Sequence, residues 1–211
     1  DVYKEYGDKD VLQYVSRYPE KMISQEGSVT GYKLKDYNLD NVRTAHFLLR
    51  MNEVVPRNGN EIALKTLFRQ LEEQPRTKEG VWWHKAIYAN QVWLDGIFMG
   101  LPYYVAAAEK MRGKKGAKRY YDDAVEQITR TFNRTYDAET GLWKHAWDET
   151  HSIFWANKDT GLSQHTWARA MGWFAMAMVE VLDALPKDYT RRSEVKEMLG
   201  KVMGAVVRYQ D

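Results

Sequence analysis

Apolar and polar positions alternate along this chain with the period of an amphipathic helix, not with the two-residue period of a strand. About seven segments carry the pattern: residues 11–23, 39–55, 61–73, 90–111, 116–136, 166–185 and 191–209. In 39–55 the apolar positions include Ala45, Leu48, Leu49 and Met51, and Pro56 and Gly59 stop the helix. Segment 61–73 places Ile62, Leu64, Leu67, Phe68 and Leu71 near one face, and 116–136 places Tyr121, Val125, Ile128 and Phe132 there. No segment reads as a good strand. Pro19 interrupts the pattern of 11–23, and the basic run Arg112 to Arg119 reads as a solvated loop between two helices.

Two segments, 90–111 and 166–185, are apolar nearly all round, so each is expected to be buried on every side. Pro102 should kink the first or shorten its hydrogen-bonded ladder. Buried helices alternating with half-buried ones predict two concentric layers, apolar helices inside and amphipathic ones outside. An all-α toroid of helical hairpins fits this, and so does a large irregular bundle.

A faint internal repeat favours the toroid. Gly27-Ser-Val-Thr-Gly31-Tyr32 precedes Leu39-Asp40, Gly80-Val-Trp82-Trp83-His84 precedes Trp93-Leu94-Asp95-Gly96, and Gly141-Leu-Trp143-Lys-His145 precedes Trp167-Ala-Arg169. Each unit is a glycine-aromatic loop feeding the N-terminal end of an apolar helix, at intervals of roughly 50 to 75 residues. The repeat gathers the unusual polar residues at one end of the inner helices.

Composition narrows the function classes. The 211 residues are enough for one sizeable core, which predicts a single all-α domain over 1–211. With 31 basic and 29 acidic residues the net charge is +2, and no basic stripe points to nucleic acid. No apolar run is long enough to span a membrane. The absence of cysteine excludes disulfides and thiol chemistry and leaves the compartment open. The chain starts at Asp1, not Met, so a removed leader is also open. Eight Trp and fourteen Tyr are the informative excess. A flat ring beside a hydrogen-bonding group suits a sugar, which offers C–H faces and polar edges; large rings also fill cores.

Asp95 stands among Val92, Trp93, Leu94, Ile97, Phe98 and Met99, with no basic side chain one helical turn away. Apolar surroundings raise a carboxyl pKa, which suits a general acid. The same residue can equally be a buried carboxylate capping another helix or pairing with a distant Arg. Asp40 starts a helix, as an ordinary first-turn acid does, and matches Asp95 in place. Two carboxylates at one rim are the usual equipment for glycoside chemistry. Arg169 shares a helical face with Trp173. It can anchor a substrate carboxylate through its planar fork, or serve a buried salt bridge or stack on Trp. His84, His145, His151 and His165 fall in or beside the loops without metal-ligand spacing, so no metal is expected. His46, on a helix beside Phe47, reads as structural.

The segments Gly80-Val-Trp-Trp-His84-Lys85, Asn90-Gln-Val-Trp-Leu-Asp95-Gly96, Gly141-Leu-Trp-Lys-His145-Ala-Trp-Asp148, Trp167-Ala-Arg169-Ala-Met-Gly-Trp173 and Leu34-Lys-Asp-Tyr-Asn-Leu-Asp40-Asn41 together resemble glycoside hydrolase family 105. Those are the unsaturated rhamnogalacturonyl hydrolases, close to the unsaturated glucuronyl hydrolases of family 88. The resemblance implies an (α/α)6 barrel that needs no cofactor. Its substrate would be a lyase-generated oligosaccharide, rhamnogalacturonan-type by default, ending in a 4,5-unsaturated uronic acid. The resemblance also implies that the double bond is hydrated: the acid matching Asp95 protonates C4 and water adds at C5. Asp40 matches a second acid near the ring, His84 and His145 match ligand-contacting histidines, and Trp167, Arg169 and Trp173 match the wall holding the sugar and its carboxylate. Ala168 stands where many relatives carry Gly. Relatives run longer at both ends, so the barrel is expected to be partial and to self-associate through uncovered apolar surface. A non-catalytic glycan-binding domain, a different (α/α)6 enzyme such as a sugar epimerase, and an inactive helical fragment are the competing readings.

Overall fold

The computed structural model describes residues 2–210. Its helices are α1 (Val2–Tyr6), α2 (Lys9–Met22), α3 (Arg43–Val54), α4 (Asn58–Glu73), α5 (Leu94–Thr135), α6 (Ala168–Ala184) and α7 (Arg192–Arg208). Helix α5 leaves helical geometry at Gly113, where φ is 70° and ψ is 164°, and so forms two helices, 94–112 and 114–135. With that break, each helix expected from the periodicity has its counterpart, and α1 is an addition.

The fold is all-α and is built as successive inner–outer hairpins of the (α/α)6 barrel class. Helix α3 and the first half of α5 run inside, α4 and the second half of α5 outside, and α6 and α7 form the next pair. Leu64, Leu67, Phe68 and Leu71 of α4 bury the face that the sequence predicts, as do Tyr121, Val125 and Ile128 of α5. Each such apolar side chain contributes about 1.5–3 kcal/mol when fully buried. Phe68 packs against Tyr103, Tyr104 and Tyr120 with ring centroids 5.2–6.2 Å apart, locking the two halves of α5 to α4.

Several expectations are corrected. Among the described residues four short strands are present: β1 (Gln91–Trp93) pairs antiparallel with β4 (Ala146–Asp148), and β2 (Tyr136–Asp137) with β3 (Leu142–Trp143). Two or three residues are too few to show a period-two pattern. Because 91–93 pair with a distant strand, α5 begins at Leu94 and not at residue 90. The start of the 39–55 segment is a 3-10 turn, Leu39–Val42, ahead of α3. Pro102 does not break α5, whose only non-helical residue is Gly113. Nor is 112–119 a loop. Only Gly113 leaves the helix, and Arg112 bonds Glu72 and Tyr120, with its Nε 2.9 Å from Glu72 Oε1. Helix α6 is not buried on every side either: Gly172, Met176 and Val179 form an exposed stripe, the latter two 46% and 44% accessible. No other described element covers that face.

Helices α3 and α6 are tied by an ion cluster. Arg43 donates two hydrogen bonds to Glu180, at 2.7 and 2.8 Å, and His46 Nδ1 lies 2.9 Å from Glu180 Oε2. Burial disfavours ionised Glu180, but Arg43 and His46 together outweigh it and hold the carboxyl below its ordinary value. Burial, more than any other influence, lowers the His46 pKa.

Candidate active site

The three loop-to-helix units meet at one rim. Their turn glycines, Gly27, Gly80 and Gly141, all have left-handed φ, at 82°, 85° and 71°. The Leu39 N–H donates to the His84 carbonyl at 3.1 Å, and the Leu94 N–H donates to the His145 carbonyl at 3.0 Å. The same backbone bond thus ties each Leu-Asp helix start to the histidine of the following loop. The repeat seen faintly in sequence is a repeat of hydrogen bonding, and it sets Asp40 beside His84 and Asp95 beside the His145 loop.

Asp95 occupies the first turn of α5 with a side chain 14% accessible. Its Oδ2 is buried and has no hydrogen-bond partner among the described residues, while Oδ1 lies 3.8 Å from Arg169 Nε. Burial raises its pKa, and the negative charge of Asp40 pushes the same way; Arg169 and a backbone hydrogen bond oppose. Such a carboxyl keeps its proton to higher pH than an ordinary Asp. The distant arginine that the sequence left open as a partner is Arg169, yet the guanidinium is 63% accessible and retains donors for a ligand.

Asp40 is placed differently. Its N–H is capped by Asn38 Oδ1 at 3.0 Å. Its carboxylate accepts from Lys85 Nζ at 2.6 Å and lies 3.5 Å from His84 Nε2. His84 is 3% accessible, and its Nδ1 has no partner. Burial pushes its pKa down to about 4, Asp40 opposing and Lys85 assisting, so the ring is neutral near pH 7. Gly96 permits this placement: a Cβ there would stand 2.8 Å from His84 Nδ1 and 3.1 Å from Leu39 Cδ1.

Rings join the two acid clusters. Trp93 stacks on His84, with centroids 5.0 Å apart and planes 13° apart, and on Tyr88 at 5.4 Å. Its edge meets His145 at 5.6 Å and Trp155 at 6.4 Å. His145 stacks on Trp167 at 3.9 Å, and Ser163 Oγ lies 2.8 Å from its Nδ1. Burial lowers the His145 pKa. Arg169 lies over Trp167, 5.3 Å from the ring centre. One turn further along α6, Trp173 stacks on Phe98 at 4.6 Å, and Arg43 covers Phe98 at 3.9 Å. The Arg169/Trp173 pair of α6 therefore faces the Asp95/Phe98 pair of α5, as parallel inner helices starting at one rim require.

The structure thus groups Asp95, Arg169, Trp167 and His145, groups Asp40 with His84, and puts Trp173 one turn below. Lys85, Tyr88, Trp93, Trp155 and Ser163 were not singled out from sequence. For Lys85 and Trp93 the signal in the sequence is proximity: Lys85 follows His84, and Trp93 precedes Asp95 by two residues. Trp155 and Ser163 reach the rim only through a long loop. His151 is a loop residue, its Nδ1 3.2 Å from the Lys158 carbonyl, and His165 meets His145 through backbone atoms. Among the described residues no group of three or more His, Cys, Asp or Glu side chains is placed to hold a metal ion. Two cavities of about 580 and 510 Å³ are lined by residues other than Asp40, Asp95 and Arg169.

The all-α inner–outer layering is that of the (α/α)6 barrel fold of the solved family 105 and unsaturated glucuronyl hydrolase structures. The chain belongs to Glycosyl Hydrolase Family 88, whose model matches residues 1–211. In structure it is similar to a glycoside hydrolase from family 105 of C. acetobutylicum ATCC 824, with a TM-score of 0.94 and 35% identity, covering 100% of this chain and 57% of that one. In sequence it is 34% identical over 112 residues to Protein Atu3128 of Agrobacterium fabrum, 53% of this chain and 46% of that protein. It is also 23% identical to the unsaturated 3S-rhamnoglycuronyl hydrolase of Formosa agariphila, over 79% of this chain and 44% of that enzyme. The chain spans about half the length of the curated relatives it matches.

Proposed function

We propose that residues 1–211 form a single all-α glycosidase unit carrying the acid centre of an unsaturated uronyl hydrolase. The substrate is an oligosaccharide whose non-reducing end is a 4,5-unsaturated uronic acid, with rhamnogalacturonan-type fragments favoured; no nucleic acid, membrane or cofactor takes part. The observation that carries this reading is Asp95: a buried, unpartnered carboxyl oxygen, a raised pKa, and an accessible guanidinium 3.8 Å away.

Protonated Asp95 donates to C4 of the double bond, and positive charge develops at C5 beside the ring oxygen. Water adds at C5, and the proton it releases restores the carboxyl. The resulting hemiketal opens and expels the rest of the chain, so the anomeric carbon is never attacked and the rule of carboxylate separation does not apply. Arg169 receives the uronate carboxylate through its fork. Trp167 and Trp173 flank the ring, and neutral His84 and His145 contact its polar edge. Asp40, held by Lys85, is the second acid and offsets the charge developing at C5. The name of the Formosa agariphila relative, an unsaturated rhamnoglycuronyl hydrolase, supports the substrate class.

The experiment is the ultraviolet absorbance of the conjugated C4=C5 bond in lyase-generated oligosaccharides. The wild-type chain removes it and Asp95→Asn does not. Retained activity in Asp95→Asn overturns the assignment. A glycan-binding domain without turnover is identified by binding of the same sugars with unchanged absorbance.

A further inference from the structure

On the outer surface, a cavity of about 580 Å³, lined by neither Asp40, Asp95 nor Arg169, lies between the second half of α5, the β2/β3 hairpin and α7. Phe132, Tyr136 and Trp143 form an aromatic cluster there: Trp143 meets Phe132 at 4.7 Å and Tyr136 at 5.1 Å. Trp143 is buried, and its indole N–H is spent on the Phe132 carbonyl at 2.9 Å, so Tyr136, 44% accessible, presents the open ring. Facing it on α7 are Lys201 and Arg208. Lys201 bonds Glu197 at 2.7 Å, whereas Arg208 has no carboxylate partner among the described residues. Gly141 makes room for the Arg208 guanidinium, since a Cβ there would lie 3.2 Å from its Nη2. A bond from the Tyr209 hydroxyl to the Thr140 carbonyl, at 2.7 Å, fixes the end of α7 against the hairpin.

Two features mark this groove as more than a packing gap. First, Gly200 and Gly204 line it inside α7, where glycine weakens a helix relative to alanine. No heavy atom lies within 4 Å of a Cβ at either position, so packing does not require glycine there. Second, through Asn133 the groove adjoins a cavity of about 480 Å³ lined by Lys78, Glu79, Arg130 and Arg134. Together the two present Lys78, Arg130, Arg134, Lys201 and Arg208. Arg130, Arg134 and Lys201 are paired with Glu126, Glu79 and Glu197, which leaves Lys78 Nζ and Arg208 without a carboxylate partner among the described residues. The exposed apolar Met203 and Val207 fall on a separate face of α7 from Lys201 and Arg208.

We infer that this outer groove is a second glycan site, which binds an acidic, uronate-containing oligosaccharide along a track of cations with one sugar face on Tyr136. Unpaired Arg208 and Lys78 match uronate carboxylates, a sugar face matches the open ring, and the glycine floor lets the chain lie against the helix backbone. The choice of a uronate ligand rests on the proposed function; the site itself rests on the groove.

The test is calorimetric titration of the whole chain with a saturated oligogalacturonide, which has no C4=C5 bond to hydrate, with Arg169→Gln as the background that silences the rim. Binding is expected to persist in Arg169→Gln and Asp95→Asn and to weaken with added salt. Arg208→Gln and Tyr136→Ala are each expected to weaken it about tenfold, the scale of one charge-assisted or stacking contact. Gly204→Leu should abolish it without lowering the melting temperature, and Arg208→Gln should leave turnover of a disaccharide substrate unchanged. The inference is overturned if the oligogalacturonide does not bind in the Arg169→Gln background. It is equally overturned if a neutral oligosaccharide or polyglutamate binds as well, or if Arg208→Gln, Tyr136→Ala and Gly204→Leu all leave binding unmoved. Groove binding alongside unimpaired turnover by Asp95→Asn refutes the proposed function and leaves the groove standing.

Discussion

Asp95 and Arg169 approach to 3.8 Å, yet they do not form a closed ion pair. One carboxyl oxygen faces the guanidinium, and the other is buried without a partner. Burial holds the proton on and Arg169 moderates that hold, so the two residues together set the pH at which Asp95 lets go.

Replacing the acid separates activity from stability. Asp95→Asn should lower turnover by on the order of 10²–10⁴-fold, the range of a general acid. Because burial raises the folded pKa, ionised Asp95 weakens the fold as pH rises from the ordinary Asp range through that raised value. At neutral pH the Asn variant should therefore melt no lower than wild type, and any advantage should vanish below the ordinary Asp range. Thermal melts across pH, read beside the absorbance assay, check both.

Arg169→Gln should act on two readouts. Loss of the carboxylate fork should raise KM by roughly tenfold or more. Loss of the nearby positive charge should raise the Asp95 pKa further. Since the donor works protonated, the alkaline fall of the kcat profile should move to higher pH. A fall that stays in place separates the two residues functionally.

Gly96 and Gly172 should respond in opposite ways to alanine. At Gly96 the methyl would press on His84 and Leu39, and a loss of about 1–3 kcal/mol is expected, with activity. At Gly172 nothing lies within 4 Å, so Gly172→Ala should stabilise α6 by about 0.5–1 kcal/mol. Chemical denaturation distinguishes them.

Glu180→Gln removes the carboxylate shared by Arg43 and His46 between α3 and α6. The cluster is partly accessible, so a loss of about 1–2 kcal/mol is expected, between that of an exposed pair and a buried one. The Glu180 pKa is depressed in the fold, so wild type holds this stabilisation above the ordinary Glu range and loses it as pH falls through the depressed value. The difference between variant and wild type should close in acid.

The exposed stripe of α6 predicts self-association of this chain. Val179→Lys should move its elution in size-exclusion chromatography toward the monomer without changing its circular dichroism spectrum. Identical elution of the two would count against that contact.

Much of this protein is legible along the chain. The period of Leu64, Leu67, Phe68 and Leu71 alone determined that α4 is a helix and which face it buries, because helical burial is decided by neighbours three and four residues apart. Glycine-aromatic loops ahead of Leu39-Asp40 and Leu94-Asp95 marked the rim, because turn glycines and helix starts are local chemistry. Tertiary structure alone decided what depends on distant partners. The β1/β4 ladder moved the start of α5, and the all-round apolar pattern of α6 could not reveal that Met176 and Val179 stay uncovered. Lys85 came to Asp40, and Trp93 came to lie between His84 and His145, through loops whose path no local period encodes. The sequence could name Asp95 as a carboxyl in apolar company. Whether it would be paired or left holding its proton depended on where α6 set Arg169, since a pKa is fixed by charges and solvent within a few ångströms in space, not by neighbours in the chain.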